Sequence, residues 1–147
     1  ARRLVRRATI EPFTACEDTN MPHETTWEAH GVCQKFRGTL SSPELLAALA
    51  EIQESPRIKS MRYVIRDFLA VAVADLGLKA LLEGRVWSSV MLDKTSDVVV
   101  AAITTNPELI TLMKTASSYG LDAYPFAIFS NEEEARTWIA GFDDKQR

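Results

Sequence analysis

Residues 97–103, DVVVAAI, are apolar at nearly every position and give way directly to the turn-forming run TTNP. A strand with one face in water alternates apolar and polar side chains. A strand covered on both faces does not, and this run reads as the latter. Such a strand belongs inside a sheet whose neighbours are joined by crossovers, so the flanking segments must supply parallel strands and covering helices.

They do. Residues 24–37 (ETTWEAHGVCQKFR) alternate around a turn at His30-Gly31 and read as a hairpin, with Gly31 free to take positive φ and Gly38 closing the strand. Ser41-Ser42-Pro43-Glu44 opens a helix: a serine caps the free amides, proline fits the first turn and Glu44 suits the positive end. Leu45, Leu49 and Ile52 form its stripe, and Ser55-Pro56 ends it. Residues 61–68 (MRYVIRDF) make a third strand, with a short extended segment over 69–74. Asp75 then caps a helix running to about Leu92, with Leu78, Leu81, Leu82 and Trp87 inward. Gly84 weakens that helix by about 1 kcal/mol relative to alanine. After the 97–103 strand, Asn106-Pro107-Glu108 starts a helix that stops at Gly120. Residues 125–129 (PFAIF) form the last strand. Ser130 and Glu133 are spaced as a capping box for a final helix with Ala135, Trp138 and Ile139 inward. The reading is an α/β fold of order ββαβαβαβα, a mixed sheet with an N-terminal hairpin and about four helices.

Composition limits what such a fold can do. The chain has 147 residues, one domain's worth, of which 46% are hydrophobic and 25% charged. A domain of this size buries roughly 70% of the surface of its unfolded chain and needs neither metal nor disulfide to hold it. The net charge of −3 argues against a nucleic-acid partner. No apolar run reaches the roughly 18 residues of a membrane span. Residues 1–20 carry four arginines (Arg2, Arg3, Arg6, Arg7) and a charge of +1, the remainder −4. The expectation is a basic, disordered extension over 1–20, a domain over 21–140 and a polar tail over 141–147. The start of the chain lacks the apolar core of a secretory signal, so a cytoplasmic location is expected.

Candidate chemistry is sparse. Asp67 and Asp75 fall at the carboxyl end of the third strand and the start of the next helix, where open α/β sheets bind ligands. Together they form an acid–base pair or a cation site; apart, Asp75 caps its helix and Asp67 pairs with Arg66 or Arg62. Lys79 follows Asp75 by four residues, the spacing of a helical ion pair. Cys16, His23, His30 and Cys33 are metal-ligand types, but their spacing matches no compact zinc module, and neither metal nor cofactor is expected. A Cys33 nucleophile would need His23 or His30 as base. Ser88 and Ser89 lie within a helix and read as packing or solvated positions. There is no glycine-rich phosphate loop. Residues 68–82 hold two charges, Asp75 and Lys79, among fifteen positions, and read as core, as a homodimer seam or as an interface.

Four local patterns carry a resemblance: GVCQKFRGTLSSPEL at the hairpin-to-helix junction, MRYVIRDF, VVVAAITTNPEL and PFAIFSNEEEARTWI. In this order and spacing the body resembles the STAS domain, and more closely the bacterial SpoIIAA-like (STAS-like) proteins, over residues 21–139. STAS domains include anti-sigma-factor antagonists, switched by phosphorylation of a serine or threonine after the third strand in the pattern acid, phosphoacceptor, any residue, glycine. Here the matching stretch is Ala74-Asp75-Leu76-Gly77; with Asp75 as the acid, the phosphoacceptor position falls on Leu76 or lies nearby without a hydroxyl. The resemblance therefore implies a non-enzymatic binding or regulatory module without the usual phosphoacceptor. It would act on a protein partner or a second copy around residues 68–92, with Asp67, Asp75, Leu76, Leu78, Lys79 and Trp87 as contact candidates. Some SpoIIAA-like proteins are also likened to CRAL-TRIO lipid-binding domains, which implies the alternative of a small-molecule or lipid carrier with its slot beside helix 75–92, lined by Trp87, Met91 and Leu92.

Overall fold

The computed structural model describes residues 23–92, 98–121 and 124–146. The expected extension over 1–20, with Cys16, lies outside them. The elements are β1 (His23–Trp27), β2 (Gly31–Ser41), α1 (Ser42–Gln53), β3 (Tyr63–Asp75), α2 (Leu78–Leu92), β4 (Val99–Ile103), α3 (Pro107–Ser117), β5 (Phe126–Phe129) and α4 (Glu132–Gln146). A 3₁₀ turn over Pro56–Ser60 leads into β3. The order is ββαβαβαβα, as the sequence pattern indicates.

One sheet takes all five strands in sequence order, β1-β2-β3-β4-β5. β1 is antiparallel to β2, and every later pair is parallel. That order fixes where the helices go. Three successive crossovers step the same way along the sheet with the same hand, so α1, α2 and α3 all land on one face. Only α4, which follows the last strand, is free to cover the other. Strand alternation confirms the division. Phe36, Phe68 and Ala102 face Leu45, Leu81, Leu109 and Met113, from α1, α2 and α3. Cys33, Ile65, Val99, Ala101 and Ile103 face Ala135 and Ile139 of α4. All five residues of β4 are buried, as a strand covered on both faces requires.

Local signals decide the ends. At α1 the Ser41 backbone N–H donates to Glu44 Oε2 at 3.1 Å, half of a capping box. At α3 Asn106 Oδ1 accepts from the N–H groups of Glu108 at 2.9 Å and Leu109 at 3.4 Å.

Five local expectations need correction. Gly31 does not take positive φ. A Cβ there would lie 2.4 Å from the Tyr63 ring, so the ring lying over this position is what demands glycine. Gly38, at φ 70°, does not end its strand; β2 shifts register there and runs on to Ser41. Asp75 is not a helix cap but the last residue of β3, because 69–75 continues as strand against β2. The last helix is capped by Asn131, whose Oδ1 accepts the Glu134 N–H at 2.8 Å, while the Ser130 hydroxyl bonds the Glu134 carboxylate at 3.3 Å. That helix also continues past Ile139 to Gln146, and Phe142 packs edge-on against Trp138 with ring centroids 4.9 Å apart.

Candidate functional site

β3 outruns its neighbour. Its pairing with β4 stops at Asp67↔Ile103, yet its pairing with β2 continues to Ser41↔Asp75. Residues 68–75 thus extend beyond the end of β4 with β2 as their strand partner. Leu69 and Val73 are 47% and 54% exposed on this extension, and Val86 of α2 is 45% exposed. Val71 and Ala74 instead pack against the core beneath the three helices, as do Leu76, Leu78 and Leu82. The Gly77 N–H donates to Ser42 Oγ at 3.3 Å, tying the β3–α2 loop to the first turn of α1.

The sequence candidates separate on this frame. Asp67 and Asp75 lie on one strand eight positions apart, roughly 25 Å at the usual strand rise, too far to share a proton or a cation. Asp67 Oδ1 accepts the Leu69 N–H at 2.9 Å. It cannot pair with adjacent Arg66, because successive strand residues point to opposite faces. Lys79 is exposed in the first turn of α2, and Asp75 precedes that helix, so the helical ion pair expected between them has no shared helix to stand on. Leu76 and Leu78 are partly buried. Trp87 belongs to α2, but its side chain, like those of Ser89, Met91 and Leu92, lies outside the described residues.

Cys33 and His23 do not form a catalytic pair. His23 stands opposite Phe36 in the β1–β2 register, and its ring lies 5.6 Å from the Phe36 ring, on the side of the three helices. Cys33 points to the α4 side. Burial, then the nearby Glu132 charge, pushes its thiol up to about 11, away from the thiolate a nucleophile needs. His23 Nε2 instead meets Glu51 Oε1 at 2.7 Å. No group of metal-ligating side chains is assembled among the described residues.

A cavity of about 40 Å³ lies between the sheet and the three helices on its α1–α3 face. Leu45 and Leu49 of α1, Phe68 of β3 and Met113 of α3 give it apolar walls. Two arginines line it as well. Arg66 shares the β3 face of Val64 and Phe68, so alternation turns it inward. Its Nε is buried with no hydrogen-bond partner. Arg85 of α2 is 7% exposed; its Nη2 donates to the Met113 carbonyl at 3.3 Å and to Ser117 Oγ at 3.0 Å, and its guanidinium lies 4.7 Å over the Phe126 ring. Burial lowers the Arg66 pKa; Tyr124 opposes that shift, and the Arg85 charge adds a smaller push in the same direction as burial. Gly84 sits on the cavity wall where a Cβ would come within 2.9 Å of Leu49 Cδ1, so the glycine that weakens α2 also lets it close on α1. Sequence reasoning passed over Arg66 and Arg85. The signal for Arg66 was its parity with Val64 and Phe68 in MRYVIRDF; Arg85 carries none, since its helix is apolar nearly all round.

A five-stranded mixed sheet with an N-terminal hairpin, three helices on one face and one on the other defines the class: the chain has the SpoIIAA-like (STAS-like) fold. Among solved structures it is similar to the anti-sigma factor antagonist SpoIIAA in its unphosphorylated form, with a TM-score of 0.59 and 15% sequence identity over 81% of this chain and 96% of that one. An uncharacterised protein of the DUF3478 family from Shewanella loihica PV-4, described as having a SpoIIAA-like fold, aligns with a TM-score of 0.48 at 14% identity over 80% of this chain and 91% of that one. No family model matches the chain, and no curated protein matches it. At these identities the likeness establishes the fold alone. Among the described residues no helix is long and apolar enough to cross a membrane.

Proposed function

We propose that the chain is a non-enzymatic regulatory module that docks a protein partner through the β3 extension and the exposed side of α2, around residues 68–92. The observation that carries this reading is the overhang of β3. From residue 68 onward one strand edge has outrun β4, and it bears exposed Leu69 and Val73. Natural sheets ordinarily guard such edges with charge, proline or a covering element. Residues 68–74 contain none of the first two. An extended segment of a partner pairs with such an edge through its backbone and is selected by pockets for its side chains. The fold adds support, since the similar SpoIIAA is by description an anti-sigma factor antagonist. None of residues 74–77 is a serine or threonine, so the module would be governed by occupancy of the edge rather than by phosphorylation at that place.

The test is a pull-down from the native host comparing the wild-type chain with Val73→Asp and Leu69→Asp. These two side chains are exposed, so the circular dichroism should stay native while capture is lost. Leu76 and Leu78 are poorer probes because they pack against the core. Undiminished capture by both variants overturns the reading. A wild-type dimer in sedimentation that the variants dissolve would assign the edge to a second copy of the chain.

A further inference from the structure

The cavity on the α1–α3 face holds two cations where a core should be dry. None of the described residues lining it is acidic, and its other walls are predominantly apolar. Arg66 reaches it from the sheet and Arg85 from α2. Arg85 is partly satisfied by the Met113 carbonyl and Ser117. The buried Nε of Arg66 is left without an acceptor.

Leaving a guanidinium in that state costs free energy, chiefly for desolvation; the smaller repulsion from Arg85 is opposed by Tyr124. A methionine of similar length would fill the same space without either penalty. Arginine offers a planar fork that fits a carboxylate or a phosphate with two parallel hydrogen bonds. We propose that this cavity is a binding site for the oxyanion head, carboxylate or phosphate, of a small anionic molecule, held between Arg66 and Arg85 with Leu45, Leu49 and Phe68 against its apolar part.

Size limits the ligand. A water molecule needs about 10–15 Å³ of such space. At about 40 Å³ the cavity takes a head group of a few atoms. A whole lipid chain does not fit inside it, so any longer apolar part must leave through the mouth. The site therefore differs from the carrier slot implied by the CRAL-TRIO likeness, because its selectivity rests on charge. It is also independent of the docking edge, whose exposed residues Leu69, Val73 and Val86 do not line it.

The experiment uses the full chain and three probes: inorganic phosphate, octanoate and 1-octanol. Binding is followed by the rise in unfolding temperature and by the side-chain Nε–Hε signals of ¹⁵N-labelled arginine. A ligand bound only to the folded state must raise that temperature. Octanoate is expected to raise it and shift the Arg66 Nε–Hε signal, octanol to do neither, and Arg66→Met to weaken octanoate binding by about tenfold or more, as loss of a charged hydrogen bond does. Stabilisation by phosphate as well as octanoate would assign the site to a free oxyanion; by octanoate alone, to an amphiphile's head group. Equal stabilisation by octanol and octanoate would make it an apolar slot and overturn the proposal. So would an Arg66 signal unmoved by either anion in the wild-type chain, a readout that does not depend on whether the variant folds.

Discussion

The two faces of the sheet bury different things, although the same strands make both. Beneath α4 lie Cys33, Ile65, Val99, Ala101 and Ile103, all apolar and nearly inaccessible. Beneath α1, α2 and α3 lie Gln34, fully buried, with Arg66, Arg85 and Ser88 around a cavity. Gln34 is partly accounted for, since its Nε2 donates to the Ala48 carbonyl at 2.9 Å and to Thr25 Oγ1 at 3.3 Å. The buried Nε of Arg66 has no such partner. One face is built to hold the fold, and the other gives up packing for polar groups. The largest expected effect follows. Ile65→Ala, at a residue with no accessible surface, should cost about 2–5 kcal/mol in urea denaturation, as truncations do where the surroundings cannot close in. A loss below about 1 kcal/mol would mean the α4 face relaxes as easily as the other, and the contrast would fail.

The hairpin end of the α4 side gives the next largest effect. Gly31→Ala would place a Cβ 2.4 Å from the Tyr63 ring, a contact that only a shift of ring or strand relieves. Overpacking of this kind costs about 1–3 kcal/mol. Unfolding temperature measures it, and an unchanged value would show that Tyr63 has free space to swing into.

Arg66→Met should have the opposite sign to its sequence neighbour Ile65. Removing a charge whose buried Nε has no acceptor should leave stability unchanged or raise it by about 1 kcal/mol. The pair Ile65→Ala and Arg66→Met, adjacent in sequence and on opposite faces, is the most direct way to sharpen the comparison in one set of denaturation curves. A substantial loss on Arg66→Met would place a structural bond at that guanidinium and remove the contrast.

Much of the fold was legible because each element carried its own signal. The unbroken apolar run of β4, the caps at Ser41 and Asn106 and the stripes of α1, α3 and α4 are local features, and local physics determines them. The end of β3 was not legible. LAVAVAD has no strict period, so only the partner strand β2 distinguishes an extended continuation from the start of a helix. The candidate site was less legible still. Asp67 and Asp75 drew attention as carboxylates, but a long strand holds them apart. Arg66 and Arg85 lie 19 positions apart in sequence and meet only because the β3–α2 crossover folds α2 back over the sheet.

The smallest effect concerns the ion pair that joins the hairpin loop to α4. Arg136 binds Glu28 through two hydrogen bonds, at 3.1 and 2.8 Å, and Glu132 at 2.8 Å, while the Tyr63 hydroxyl donates to the same Glu28 carboxylate. The Arg136 hydrogen bond holds the Glu28 carboxyl below its ordinary value of 4.5 despite partial burial. A depressed carboxylate pKa contributes stability that is complete above the unfolded value and is lost as the pH falls through the folded one. Tyr63 behaves in the opposite sense. Burial, then its bond to Glu28, pushes the phenol from 10.0 up to about 12, so its contribution is complete below 10 and lost as the pH rises toward 12. Arg136 is 40% exposed, so solvent screens the pair and its worth is under about 1 kcal/mol. Arg136→Ala should therefore lower stability slightly at neutral pH and flatten the acid limb of the stability profile. Tyr63 desolvation, the larger cause of its shift, survives that substitution, so much of the alkaline limb should remain. An acid limb unchanged in Arg136→Ala would mean that another carboxylate sets it and that the ion pair adds nothing to the α4 face.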